Sequence, residues 1–173
     1  MIECVGVLHH LDDPMTGWRV LVNLLEPDGL MKIALYSEKA RSSVRAARDF
    51  ARSLNLPLTP EGIRYCRRAI INLPDGHPVK DVMHFNDFFT VDEFRDMVMH
   101  VHEHQFTLPG IEVCLDQLGL QFLGFECAAP TRKRFREMCP DNDAATKLEA
   151  WHQFEEIYPE TFRSMYSFWC CRK

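Results

Sequence analysis

The chain opens on an apolar run, Ile2-Glu3-Cys4-Val5-Gly6-Val7-Leu8, in which Glu3 is the one charge. Apolar residues fall on both faces of this run, the pattern of a strand buried in a parallel sheet. His9 to Asp13 then turns largely polar, and Asp13-Pro14 reads as a helix start, with an acceptor side chain at the N-cap and proline at the first helical position. Trp18, Leu21, Val22 and Leu25 recur at helical spacing and predict an amphipathic helix over residues 14–25. Pro27-Asp28-Gly29 is a turn signal. Leu30 to Tyr36 predicts a second strand, with Lys32 its only charge. Strand, helix and strand within so short a span predict a right-handed βαβ unit with parallel strands.

Helices are expected next over 38–54 and from Thr59-Pro60 to about Asn72, where Pro74-Asp75-Gly76 ends the second. Thr90-Val91-Asp92-Glu93 is a capping box that predicts a helix to about His104. Thr107-Leu108-Pro109 opens another that stops at Gly119. Leu120 to Cys127 alternates as a third strand. A polar, basic connection and a helix carrying Trp151, Phe154 and Ile157 lead to a last strand, Tyr166 to Cys171. The pattern is one α/β domain over 1–173, with a helical lobe at about 56–118. Phe85, Phe88, Phe89 and Phe106 in that lobe read as core. An interior-type strand one residue after Met1 sets the expectation of a fragment, or of a first strand covered by something outside the chain.

Composition adds exclusions. The 173 residues are 46% hydrophobic and 26% charged, which is ordinary for a globular domain. The net charge of −5 gives no global attraction to nucleic acid or acidic lipid, and no apolar run approaches the about 20 residues of a membrane helix. Seven cysteines, an odd number with no C-x-x-C pair, read as reduced thiols. The opening residues lack a positively charged leader, so a cytoplasmic protein is expected.

The run ECVGVLHHLDDPMTGWRVLVNLLEPDGLMKIALYSEKAR resembles the middle of class I S-adenosylmethionine-dependent methyltransferases. In that family the fourth strand ends in an LHHL-type turn, here Val7 to Leu11, followed by a helix, a P-x-G turn and the fifth strand. SFWCCRK is similar to the family's final antiparallel strand. Methyltransferase domains beside tetratricopeptide repeats in bacterial proteins are the nearest likeness, extending to EHQFTLPGI. The resemblance implies a partial Rossmann-like sheet, its last four strands with the final one antiparallel, and a helical insertion covering an acceptor pocket. It also implies S-adenosylmethionine as cofactor and a methyl acceptor that the sequence does not name. One departure is large. The family's glycine-rich turn has no counterpart here, since none of the eight glycines form G-x-G. The first strand is therefore expected to carry an unpaired edge, open to a homo-oligomer or to a partner that supplies the preceding strands.

The resemblance also places the candidate site. His10, at the carboxyl end of a strand where open α/β sheets bind ligands, is the candidate catalytic residue, because histidine titrates near working pH. Glu3, Cys4, Val5 and His9 are the candidate cofactor contacts, and Tyr36 and Ser37 line the acceptor side. Simpler readings stand beside these. The two histidines cap a loop, Glu3 ends a buried strand, and Ser37 caps the next helix with Glu38 favouring its dipole. His100 and His104 share a helix face at i, i+4, a metal-ligand spacing, with His102 pointing away, but a solvated helix end is the simpler reading and no metal is expected. Arg41, Arg45, Arg48 and Arg52, and the cluster Arg132-Lys133-Arg134-Arg136, could bind phosphates, but read more simply as solvated faces. Cys4 and Cys66 have no local support as nucleophiles. The function readings are the acceptor-side part of a methyltransferase, or a non-catalytic remnant acting as an interaction module. A His-rich metalloprotein comes third.

Overall fold

A computed structural model describes residues 1–99 and 103–173. The chain divides into two compact units, Met1–Ala40 with His102–Lys173, and Arg41–Val101.

The first unit is built on a four-stranded sheet of order β1-β2-β4-β3. Its strands are β1 (Ile2–Val5), β2 (Leu30–Leu35), β3 (Leu120–Phe125) and β4 (Tyr166–Arg172). β1 and β2 pair in parallel, Cys4 opposite Ile33. β4 runs antiparallel to both β2 and β3, the latter with an irregularity between Phe122 and Gly124. The carboxyl ends of β1, β2 and β3 therefore reach one rim, shared with the amino end of β4. The helix α1 (Pro14–Leu24) makes the crossover, started as its sequence predicts: Asp13 accepts from the amides of Met15 and Thr16 at 3.0 and 3.2 Å, with Pro14 at the first position. Its far end is held by β4, where the Arg172 guanidinium donates to the carbonyls of Val22 and Leu25 at 2.6 and 3.0 Å. Further on lie α5 (Leu108–Gln117), α6 (Ala129–Met138) and α7 (Leu148–Ile157). α6 occupies what the sequence suggested was only a connection. Its single buried side chain, Phe135, gives no repeating apolar stripe to read.

Met31, Ile33 and Leu35 point to one face of the sheet and share a core with Trp18 of α1, Ile111 of α5, Trp151 and Phe154 of α7, and Phe168 and Cys170 of β4. The opposite face is different. Glu3, Val5 and Leu30 are exposed and Lys32, Ser167 and Trp169 half-buried; Ala34 is the buried exception. Lys32 bridges to Glu126 at 2.7 Å there. Helices thus pack on one face of the sheet, and β1 forms its edge.

The second unit holds α2 (Ser42–Ser53), α3 (Pro60–Ile71), two 3-10 segments (Pro78–His84 and Asn86–Phe88) and α4 (Val91–Phe94), which passes into a π-helical turn over Arg95–Met99. Thr90 caps α4, accepting from the Glu93 amide at 3.3 Å. Val44, Ala47, Ile63, Ile70, Val82, Phe88 and Phe94 form its core. This unit and the expected lobe at 56–118 overlap over 56–101; α2 falls in the unit, while α5 packs in the first. Phe85 and Phe88 are buried, but Phe89 is exposed. The arginine stripe on α2 is not one solvated face. Arg41 is buried with its guanidinium 5.8 Å from the centre of the Phe85 ring, and Arg48 Nε donates to the Met97 carbonyl at 2.9 Å.

Gly62, in the first turn of α3, stands where a Cβ would come within 2.1 Å of the Pro57 carbonyl oxygen. Backbone on both sides cannot yield as a flexible side chain could. Gly62→Ala is therefore expected to lower stability by about 1–3 kcal/mol, the range for overpacking. Urea denaturation followed by circular dichroism checks this, and unchanged stability would contradict the close approach.

Candidate functional site

β1 ends in a left-handed turn at Gly6, φ 73°, that an L side chain would strain. The 3-10 turn Leu8–His10 follows directly and places both histidines at the rim. His9 is fully buried and lies on Tyr36, ring centres 3.9 Å apart and tilted by 31°. His10 is exposed, its ring edge-on to His9 at 4.4 Å and to Tyr36 at 5.9 Å. The ends of two parallel strands thus make one aromatic cluster in which His10 faces outward and Tyr36 is half-buried.

Ser37 points the other way. Its hydroxyl meets Glu155 Oε1 at 3.0 Å, and the Tyr166 hydroxyl donates to the same oxygen at 2.6 Å. The two hydroxyls are 3.0 Å apart, and Ser37 Oγ also accepts from the Ala40 amide at 3.0 Å. Ser37, Tyr166 and Glu155 are all buried. Burial raises the Glu155 carboxyl above the ordinary glutamate value, against the lowering effect of hydrogen bonds from Tyr166 and Ser37 and of the Lys39 and His152 charges. Burial and the adjoining carboxylate push the Tyr166 phenol upward.

Residues 103–106 form an extended strap over the rim. The His104 amide donates to the His9 carbonyl at 2.8 Å. Phe106 takes the Tyr36 carbonyl at 2.9 Å, and the Glu38 amide returns to Phe106 at 2.9 Å. His104 therefore lies outside any helix, where the sequence predicted the end of one. His100 and His102 lie outside the described residues. Among the described residues no three metal-ligating side chains come together.

The expected site residues separate into groups. His9, His10 and Tyr36 meet in one cluster. Ser37 is adjacent but belongs to the buried network and also caps the turn at Ala40. Along β1, Cys4 turns into the core, while Glu3 and Val5 lie on the open face. Glu3 stands opposite Lys32 in the parallel register and raises its pKa, behind the larger effect of Glu126. Burial pushes the Cys66 thiol up to about 11 and raises that of Cys4, which makes both poor nucleophiles. Glu155 and Tyr166 were not anticipated, and Phe106, read as core of the lobe, instead bridges to Ser37 and packs half-buried against the core of the first unit. Glu155 did leave a signal: it lies at i+7 from Leu148 and i+4 from Trp151, a charge on an otherwise apolar helix stripe.

The chain has a methyltransferase-like fold, with a partial sheet. It is similar to PKMT2 from Rickettsia typhi, with a TM-score of 0.68 and 13% identity, covering 99% of this chain and 34% of that one. A second structure, PKMT2 in complex with AdoHcy, gives a TM-score of 0.62 at 12% identity, over 98% of this chain and 35% of that one. No family profile matches. An uncharacterized protein of Synechococcus sp., syc1184_c, is 28% identical over 132 residues, 72% of this chain and 31% of that protein. The chain thus spans about a third of the length of the proteins it matches. Among the described residues no helix is long and apolar enough to cross a membrane.

The buried network makes a prediction of defined sign. A carboxyl raised in the folded state binds more protons there than in the unfolded chain, so stability falls as pH rises above the ordinary value of 4.5. Glu155→Gln keeps an acceptor oxygen for both hydroxyls and is expected to remove that slope. Glu155→Ala leaves two buried hydroxyls without their acceptor and is expected to cost about 2–4 kcal/mol. Denaturant titrations of the three proteins between pH 5 and pH 8 give both numbers. A wild-type slope that persists in Glu155→Gln would assign the titration to another group.

Proposed function

We propose that this chain is the acceptor-side part of an S-adenosylmethionine-dependent methyltransferase. One observation carries the reading: the unpaired edge of β1 runs through the Gly6 turn straight into the His9–His10–Tyr36 cluster. The strand that borders the cofactor in this fold is thus the edge of the sheet, in a chain spanning about a third of the proteins it resembles. The residues present fit one wall of a cofactor site. Val5 and Val7 are 47% and 49% exposed beside the turn, and no G-x-G stands in the sequence to hold the other side. The remaining wall is supplied from beyond β1, by further strands of the same polypeptide or by a partner. When bound, S-adenosylmethionine supplies the activated methyl group.

Within this reading the chain's residues have separate tasks. His10 takes the proton of the acceptor nucleophile at a ring nitrogen. His9 and the strap at 103–106 fix the His10 backbone and keep Tyr36 half-covered. Tyr36 forms the acceptor-side wall. Ser37 positions Tyr36 through the buried network. The free thiols support a cytoplasmic setting. The lack of G-x-G also favours a second reading, in which the chain is a non-catalytic interaction module that pairs through β1.

Nitrogen–proton correlation spectra of the labelled chain, titrated with AdoHcy, test the first reading. Shifts confined to residues 3–10 and 36–38, with weak affinity on the order of a millimolar Kd for half a site, are expected. A folded sample with no shift at those positions would leave the interaction module standing. In an assembled, active protein His10→Ala is expected to lower kcat by about a hundredfold or more with AdoHcy affinity little changed. An unaltered kcat would remove His10 as the base.

A further inference from the structure

α1 has an apolar flank besides the face it buries. Trp18 and Val22 face the sheet, and Thr16, Arg19 and Asn23 are exposed polar positions. Between these two arcs lie Gly17, Leu21 and Leu24, with Val20 beside them. Leu24 is 70% exposed and Val20 54%. The flank is on the side of β1: a Cβ on Gly17 would meet Leu11 and Leu8, residues that lead out of that strand. A right-handed crossover from β1 to β2 turns it outward, away from β2. β1 is itself the edge of the sheet, so its outward amides and carbonyls face no strand among the described residues. An open backbone edge and an apolar helix flank therefore face the same way, one layer apart.

We infer that this side joins a second copy of the chain about a two-fold axis normal to the sheet. Both features are self-complementary, as a two-fold contact demands. β1 pairs antiparallel with β1 of the second copy. A crossover helix sits over the two strands it joins, so α1 lies half a strand spacing in from the edge. One full spacing and two halves then separate the two α1 axes by about 10 Å, a distance at which helices pack. The levels agree as well. α1 runs back antiparallel to β1, and Gly17 stands just past the end of that strand. The middle of the flank, between Val20 and Leu21, lies about 5 Å further down the helix axis, near the height of Cys4. An axis there sets Leu24 of one copy against Leu11 and Gly17 of the other, and Val20 against Leu21.

Charge selects the register. An axis normal to the sheet keeps every side chain on its own face, so the four-residue strand centres on Glu3 or on Cys4. Centring on Glu3 sets two like carboxylates directly opposite one another, which is unfavourable. Centring on Cys4 sets Glu3 opposite Val5 of the second copy and leaves the two Cys4 side chains under the paired helices. The strand and about two helical turns from each copy bury roughly 1,200 Å² in all, the low end for a specific interface, so the dimer is reversible. It goes beyond methyl transfer and needs no cofactor. A wall brought to the cofactor from beyond β1 takes the same edge, so the dimer is the arrangement of the chain without that wall.

Sedimentation equilibrium of the 173-residue chain without cofactor tests the inference. A monomer–dimer equilibrium with a Kd on the order of ten micromolar is expected. Leu24→Glu alters an exposed residue that the two-fold counts twice, and is expected to raise Kd at least tenfold. Val5→Glu puts a carboxylate opposite Glu3 and is expected to raise Kd about fivefold, whereas Val5→Lys, opposite the same Glu3, is expected not to raise it. Ile157→Glu, an exposed apolar position on α7, is expected to leave Kd unchanged. Circular dichroism confirms that each variant is folded. A chain that stays monomeric up to about 300 micromolar overturns the inference, as does association that Leu24→Glu leaves intact or that Ile157→Glu weakens equally. Equal weakening by Val5→Glu and Val5→Lys overturns the register. A monomer whose residues 3–10 still respond to AdoHcy overturns the dimer alone and leaves the methyltransferase reading in place.

Discussion

A carboxylate buried on the apolar side of a helix must be given partners before that helix can pack, and here those partners come from two strands. Glu155 reaches the sheet only if Ser37, just past β2, and Tyr166, at the start of β4, both present their hydroxyls to it. This couples the packing of α7 to the register that sets Leu35 opposite Tyr166. It also decides the site. Successive residues of an extended chain point to opposite sides, so drawing Ser37 inward turns Tyr36 outward, onto His9. The strap at 103–106 then fixes the same two strand ends through their carbonyls. The exposed ring of His10 is held by contacts that lie almost entirely behind it.

The βαβ unit was legible because each of its signals is local. The cap at Asp13, the proline after it, the apolar stripe of α1 and the P-D-G turn all act within a few residues of where they are read. The histidines at the rim were legible for the same reason, since a polar turn after an apolar strand has one place to go. What could not be read depends on distant partners. Arg41 looks like any surface arginine until Phe85 is packed over it. The strap looks like the end of a helix, because its hydrogen bonds go to residues about seventy to a hundred positions away. α6 has the polar composition of a loop and is recognisable only through Phe135, which stacks on Trp151 at 3.7 Å. Glu155 is the intermediate case: its position on an apolar stripe was visible, its partners were not.

The uneven sheet has its own physical logic. A doubly wound sheet carries helices on both faces, whereas this one packs α1, α5 and α7 on the Met31–Ile33–Leu35 side. The other side mixes apolar groups with charge: Val5, Leu30 and Trp169 beside Glu3, Lys32 and Glu126. Charge on an exposed edge strand discourages indiscriminate pairing, and Glu3 on β1 has that effect while leaving the backbone edge open. Lys32 is already neutralised by Glu126, and its aliphatic stem lies toward the Trp169 ring. A layer laid over this face would therefore meet little uncompensated charge and a row of half-covered apolar groups. Edge and face together differ from a doubly wound sheet in the same way: backbone left open along β1, and apolar groups on one face covered by no helix of this unit.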